Sequence, residues 1–309
     1  MAEGTRTVLV ATDFSGGALA AVREAAAFAR AWSATLAVLH VNDDLSDDPG
    51  FSVSWLRPFG MALDALELGR IAHEVAHEKL ETLVAAEDLA DVDVTLHVTA
   101  GSAVQEIARL ARELEADVVV AGRSGAGALE RLMLGGTSER LIARLPCPLV
   151  LVGETPLPAK GVLLPVDFGP CAPKQLAFLR ELPRVEEADT HVLSVYALPS
   201  YFWDAIEGHL SEEQVDRTVG EAMRQRLDDL VVEREESEHH VFREVRQGIP
   251  AREILSFARA RKVDTIILGS AGHGGVTTTL PGSTVLRVSR DFRGRVVITP
   301  PEESTAGGW

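Results

Sequence analysis

"TAGSAVQEIARLARELEADVVVAGRSGAG", Thr99 to Gly127, returns later in the chain as "RQGIPAREILSFARARKVDTIILGSAGHG", Arg246 to Gly274. Each copy joins a segment with helical spacing to an apolar β-rich run and ends in a glycine-rich turn. A strand apolar at successive positions and preceded by a helix belongs to a parallel sheet covered on both faces. Two such copies in one chain call for a search for a larger repeat.

The search succeeds on both sides of the copies. "TVLVATDFS", Thr7 to Ser15, is echoed by "GVLLPVDFG", Gly161 to Gly169, and "TLAVLHV", Thr35 to Val41, by "HVLSVYA", His191 to Ala197. Asp13 matches Asp167 at a longer offset than Gly122 matches Gly269, so the first half carries extra residues. "DDPGFSVSWLRPFGM", Asp47 to Met61, is the natural place for them and reads as a surface insertion bearing Trp55 and Phe59, with a lid or partner loop as the alternative.

Alternating periodicities give the element order. In the first half, strands are expected at Val8–Thr12, Leu36–Val41, Val94–Val98, Val118–Ala121 and Leu149–Val152. Helices fit between them at Ala18–Trp32, about Ala62–Ala86, Ala103–Glu115 and Thr137–Arg144. The second half repeats the order, with a long polar helix at about Ser211–Glu236. The expected fold is α/β: two tandem Rossmann-like domains, 1–155 and 156–309, each a five-stranded parallel sheet with helices on both faces. "GETPLPAKG", Gly153 to Gly161, reads as the linker.

In such sheets ligands bind beyond the carboxyl ends of the strands. That rule gathers Asp13, Asp167 and both glycine loops around two crevices. The second loop, "GSAGHGGVTTTLPGST", runs from Gly269 to Thr284 and has Gly269, Gly272 and Gly282-Ser283; the first has Gly122, Gly125 and Gly135-Gly136 at the same spacing. Glycines let an anion approach main-chain N–H groups, and the helix that follows adds its positive dipole end. The same residues also suit a tight strand-to-helix turn.

Composition narrows the function. A formal net charge of -16 argues against a nucleic-acid scaffold, which needs clustered basic residues. No run of eighteen or more apolar residues suggests a membrane span, and the N-terminal residues do not read as a signal peptide. Two isolated cysteines, Cys147 and Cys171, suggest neither a disulfide framework nor a zinc knuckle, and a reducing cytoplasm is the expected location.

The repeat, the aspartates and the Gly-x2-Gly-x9-Gly spacing together resemble a tandem universal stress protein, in the branch of that family with an ATP-binding motif. "LPCPLVLVG", Leu145 to Gly153, resembles the family's closing strand. The resemblance implies ATP in the crevices, with Mg2+ as an accompanying ion. Thr12, Asp13 and Asp167 would lie against the adenosine, the backbones of Val41 and Val195 would meet the adenine edge, and Gly122 and Gly269 would sit near the ribose. Gly125, Gly135, Gly136, Thr137 and Ser138 would face phosphates in one half; Gly272, Gly282, Ser283 and Thr284 would do so in the other. Gly136 stands where the family usually has Ser or Thr, a loss that Thr137 and Ser138 could offset. The resemblance also implies a regulatory stress-response role, protein partners not named by the sequence, and an intrachain pseudo-dimer pairing "PLVLV" with "RVVIT"; further homodimerisation is compatible with it. At most weak ATP hydrolysis is expected, because no Lys stands in either loop. A slow ATPase and a nucleotide-free interaction module are the alternatives.

Other signals carry less. "HEVAH", His73 to His77, spells HExxH, but a buried helix stripe of Leu68, Ala72, Val75, Ala76 and Leu83 turns both histidines toward solvent. "FSGG", Phe14 to Gly17, reads as a helix entry. His239 and His240 would point to opposite faces of a strand. Tyr201, Phe202 and Trp203 suit burial under the long helix.

Overall fold

The computed structural model describes residues 5–42, 65–123, 136–153, 160–183, 185, 188–198, 211–232, 241–271 and 282–301. The chain divides into two compact units, Met1–Pro156 and Leu157–Trp309. In the first, the described elements run β1 (Thr7–Ala11), α1 (Gly16–Trp32), β2 (Thr35–Asn42), α2 (Ala65–Ala86), β3 (Val94–Ala100), α3 (Ala103–Glu113), β4 (Val118–Gly122), α4 (Gly136–Ile142) and β5 (Leu149–Val152). The second gives β6 (Gly161–Pro165), α5 (Ala172–Glu181), β7 (Asp189–Tyr196), α6 (Glu212–Val232), β8 (Val241–Gln247), α7 (Pro250–Ala260), β9 (Thr265–Gly269), α8 (Ser283–Asp291) and β10 (Arg295–Thr299). Gly161, read as the end of the linker, is instead the first residue of β6.

Strand order is β3-β2-β1-β4-β5 in the first unit and β8-β7-β6-β9-β10 in the second. The pairs β1·β2, β1·β4, β2·β3 and β4·β5 are parallel, as are β6·β7, β6·β9, β7·β8 and β9·β10. Val8, Leu9, Val10, Val118, Val119 and Val120 are wholly buried, which is why these strands read as unbroken apolar runs rather than alternating ones. Alanine dominates α1 because nearly the whole helix is covered: Ala18, Ala20, Ala21, Ala25, Ala26 and Ala29 are buried.

The two units differ where their first strands end. In the first, β1 and β4 stay paired through Ala11↔Ala121. In the second, pairing of β6 with β9 stops at Leu163↔Ile266. Pro165, which occupies the place of Ala11, explains the difference. Val166 donates its N–H to Leu193 O on the β7 side, so by strand alternation Pro165 faces β9, where it has no N–H to give.

The buried stripe of α2 needs one correction. Ala76 and Leu80 are buried, whereas Val75 is 44% exposed. An α-helix turns 100° per residue, so Ala72, Ala76 and Leu80 form the inner line and Val75 falls off it. His73 remains exposed, and His77 places Nδ1 3.4 Å from Glu81 one turn on. The described residues hold no group of three or more His, Cys, Asp or Glu suited to a metal, and no described helix is long and apolar enough to cross a membrane. Residues 47–61, 201–203 and 239–240 lie outside the described set.

Candidate functional site

Both units open the same turn after their first strand. Asp13 Oδ1 accepts the N–H of Ser15 at 3.0 Å, and Asp167 Oδ1 accepts that of Gly169 at 2.9 Å. These side-chain-to-backbone bonds fix the chain direction as it leaves the sheet. Between them sit Phe14 (φ 63°) and Phe168 (φ 59°), left-handed residues of a type that rarely adopts that conformation. A cation from the long helix covers each ring: Lys79 Nζ is 5.5 Å from the Phe14 centroid, and the Arg226 guanidinium carbon is 4.6 Å from that of Phe168. In the first unit Phe14 also packs on His40, whose Nδ1 is 2.8 Å from the carbonyl oxygen of Thr12.

Thr12 is buried and its Oγ1 accepts the N–H of Phe14 at 3.1 Å; Asp13 is exposed at the end of β1. Ser15 then caps α1, its Oγ accepting from Ala18 N at 3.2 Å, so "FSGG" is indeed a helix entry.

In the second unit, Asp167, Val195, Gly269, Gly282, Ser283 and Thr284 line a single cavity of about 290 Å3. They arrive from three strand ends and the start of α8, segments far apart in sequence. Pro165, Val166, Leu193, Leu268, Val285, Pro250 and Ile254 supply an apolar wall, and Gln175 and Ala271 complete it. Among the described residues of this lining, Asp167 is the one ionisable side chain. An anion here would meet the main-chain N–H groups and hydroxyls at the start of α8.

The glycines divide into two kinds. A Cβ on Gly122 would lie 2.9 Å from the backbone carbon of Gly17, and one on Gly269 would lie 2.4 Å from Cys171 Cβ. Both are glycine because α1 or α5 presses against the strand end, a packing reason that suffices without a ligand. Among the described residues, Gly136 has nothing within 4 Å of such an atom, and for Gly282 the nearest atom is Ser270 O at 4.0 Å. Gly282 adjoins the cavity, and no described atom fills the space a side chain would take there.

In the first unit, Val41 is the last residue but one of β2 and pairs with Thr99 of β3, and Gly136 and Thr137 begin α4 with Thr137 exposed. Ser138 is buried and its Oγ donates to Gly122 O at 3.1 Å. Its proton is thus committed inside the fold, and of the two hydroxyls expected to offset Gly136 only that of Thr137 is at the surface. Gly125, Gly135 and Gly272 lie outside the described residues.

Gln175 escaped the sequence reading. It is 1% exposed, and its Nε2 donates to Pro165 O and to Ile267 O, each at 2.9 Å. The only local sign is a polar residue at an inner helix position, where the first unit has Ala21.

Two parallel five-stranded sheets with this order, each with an aspartate turn after its first strand and a glycine ending its fourth, define a tandem Rossmann-like α/β protein. The model of the Universal stress protein family matches residues 4–153 and again 159–300, and the chain belongs to that family. It is 27% identical over 197 residues to a universal stress protein of Mycobacterium tuberculosis, covering 60% of this chain and 62% of that one. A universal stress protein of Thermus aquaticus is 31% identical over 147 residues, 48% of this chain and 98% of its own. Among solved structures, a universal stress protein from Archaeoglobus fulgidus superposes with a TM-score of 0.59 at 18% identity, covering 96% of each chain. At that identity the likeness is one of fold. The matched region spans less than two thirds of the mycobacterial relative.

Proposed function

We propose that the chain binds an adenine nucleotide, ATP, in the crevice at the carboxyl edge of each unit, and that it acts in the cytoplasm as a regulatory stress-response protein rather than in metabolism. One observation carries this reading: Asp167, Val195, Gly269, Gly282, Ser283 and Thr284, singled out in the second half by spacing and resemblance, line a single cavity, Gly272 lying outside the described residues. Its chemistry suits a nucleotide. Apolar Leu193, Val195, Ile254 and Leu268 would cover a base, and Ser283 and Thr284 would turn N–H groups and hydroxyls toward phosphates. The space beside Gly282, clear of described atoms closer than 4.0 Å, would give those phosphates room at the helix start. Where ATP enters with Mg2+, the ion supplies charge neutralisation, and Asp167 is the carboxylate at hand to hold it or the ribose.

The test is direct. The purified chain is denatured, its supernatant chromatographed, and stripped protein titrated calorimetrically with ATP, ADP and AMP. ATP at one or two per chain is expected. No released nucleotide and no heat at millimolar ATP would overturn the reading.

A further inference from the structure

Pro165 breaks the ladder between β6 and β9, and Gln175 spans the resulting gap by donating to the carbonyls of Pro165 and Ile267 at 2.9 Å each. An amide nitrogen has two hydrogens, and both are used. The bonds also fix which end of the side chain is which. A flipped amide would turn its oxygen against two carbonyl oxygens, leaving all three without donors in a buried place. Oε1 is therefore the atom of Gln175 left to face elsewhere, and no described donor bonds to it. Gln175 borders the cavity that also holds Asp167 and Val195.

We propose that Gln175 sets the specificity of the second crevice by offering a fixed acceptor, Oε1, to an amino group on the ligand's ring, so that an aminopurine is held in preference to an oxopurine. The proposal rests on the nucleotide reading above and deepens it. An acceptor that cannot rotate rewards a donor and penalises a carbonyl, which would leave two oxygens facing one another. The device belongs to the second unit alone, since Ala21 stands at the matching position of the first.

The experiment uses the full chain and reads the second unit separately. 2-Azido-ATP is photocrosslinked, competed with ATP or with inosine triphosphate, and quantified on peptides from residues 157–309. ATP is expected to compete at least about ten-fold better than inosine triphosphate. That ratio is expected to fall toward one in Gln175→Ala, which copies the first unit, and in Gln175→Met, with folding checked by thermal melts. Equal competition in the unaltered chain overturns the proposal, and this arm holds even if neither variant folds. Undiminished discrimination in a folded variant also overturns it, placing selectivity on other groups such as the Val195 backbone. Absence of any ATP-competed labelling in these peptides sinks the nucleotide reading itself, an outcome distinct from the other two.

Discussion

Gly269 and Cys171 approach so closely that a Cβ added to the glycine would fall 2.4 Å from the Cβ of the cysteine. A strand end and a helix start are in contact there with no room for one more carbon. Gly269→Ala is expected to destabilise the second unit by roughly 1–3 kcal/mol, read by chemical denaturation. Cys171→Gly in the same chain should recover part of that loss, because Cys171 Cβ and Sγ are the two nearest obstacles. Gly122→Ala has no such remedy: its obstacles are the backbone of Gly17 and Ala18. A measured coupling near zero between Gly269→Ala and Cys171→Gly would contradict this account.

Gly282→Ala separates binding from folding. Its new carbon meets no described atom closer than 4.0 Å and its backbone (φ -60°, ψ 144°) is open to any residue. Stability should change by no more than about 1 kcal/mol. ATP affinity should fall about ten-fold as the methyl group enters the phosphate path, by titration calorimetry. Unchanged affinity would move the phosphates away from α8.

Acid should weaken the second unit through His191. The imidazole is buried, stacked on Phe242 at 5.1 Å and edge-on to Phe257 at 5.3 Å. Burial first, and then the Arg261 charge, push its pKa below the ordinary 6.5. Below pH 6.5 the unfolded chain therefore binds a proton that the folded chain refuses. The stability is fully present above that pH and is lost as pH falls toward the lowered folded value. Thermal melts from pH 7.5 to 5.5 should show the decline, and His191→Phe should flatten it. His97, its pKa also lowered by burial, contributes with the same sign in the first unit.

Neither cysteine should react while the chain is folded. Cys147 and Cys171 are buried and neither is in a disulfide, and burial pushes the Cys171 thiol up despite hydrogen bonds from Ala271 and Ser270. Iodoacetamide at pH 8 should label both only after denaturation, as followed by mass spectrometry. Rapid labelling of native Cys171 would show that α5 opens from β9.

Much of the fold was legible because it is written locally and twice. The runs around Val8, Val118 and Ile266 announce buried parallel strands, and the recurrence of one pattern in both halves removes the ambiguity of any single run. Six residues that line the second unit's cavity, from Asp167 to Thr284, stood out in the sequence for a similar reason: strand ends and helix starts carry Asp, Gly and Ser at fixed spacing. What escaped depends on contacts between distant parts of the chain. Gln175 meets Ile267 across 92 residues, and Gly122 is glycine because of Gly17. Val75 shows that an apolar residue type alone does not signal burial: it lies off the line of Ala72, Ala76 and Leu80 and faces solvent.

Pro165 and Gln175 also have a meaning in the history of the duplicated chain. A proline entering β6 alone would leave the Pro165 and Ile267 carbonyls without their donor, and a glutamine entering α5 alone would find the ladder closed, as it is through Ala11↔Ala121. Each residue is acceptable only in the company of the other. The two positions form an epistatic pair, and exchanging them together with Ala11 and Ala21 is the graft that would carry the character of one crevice into the other.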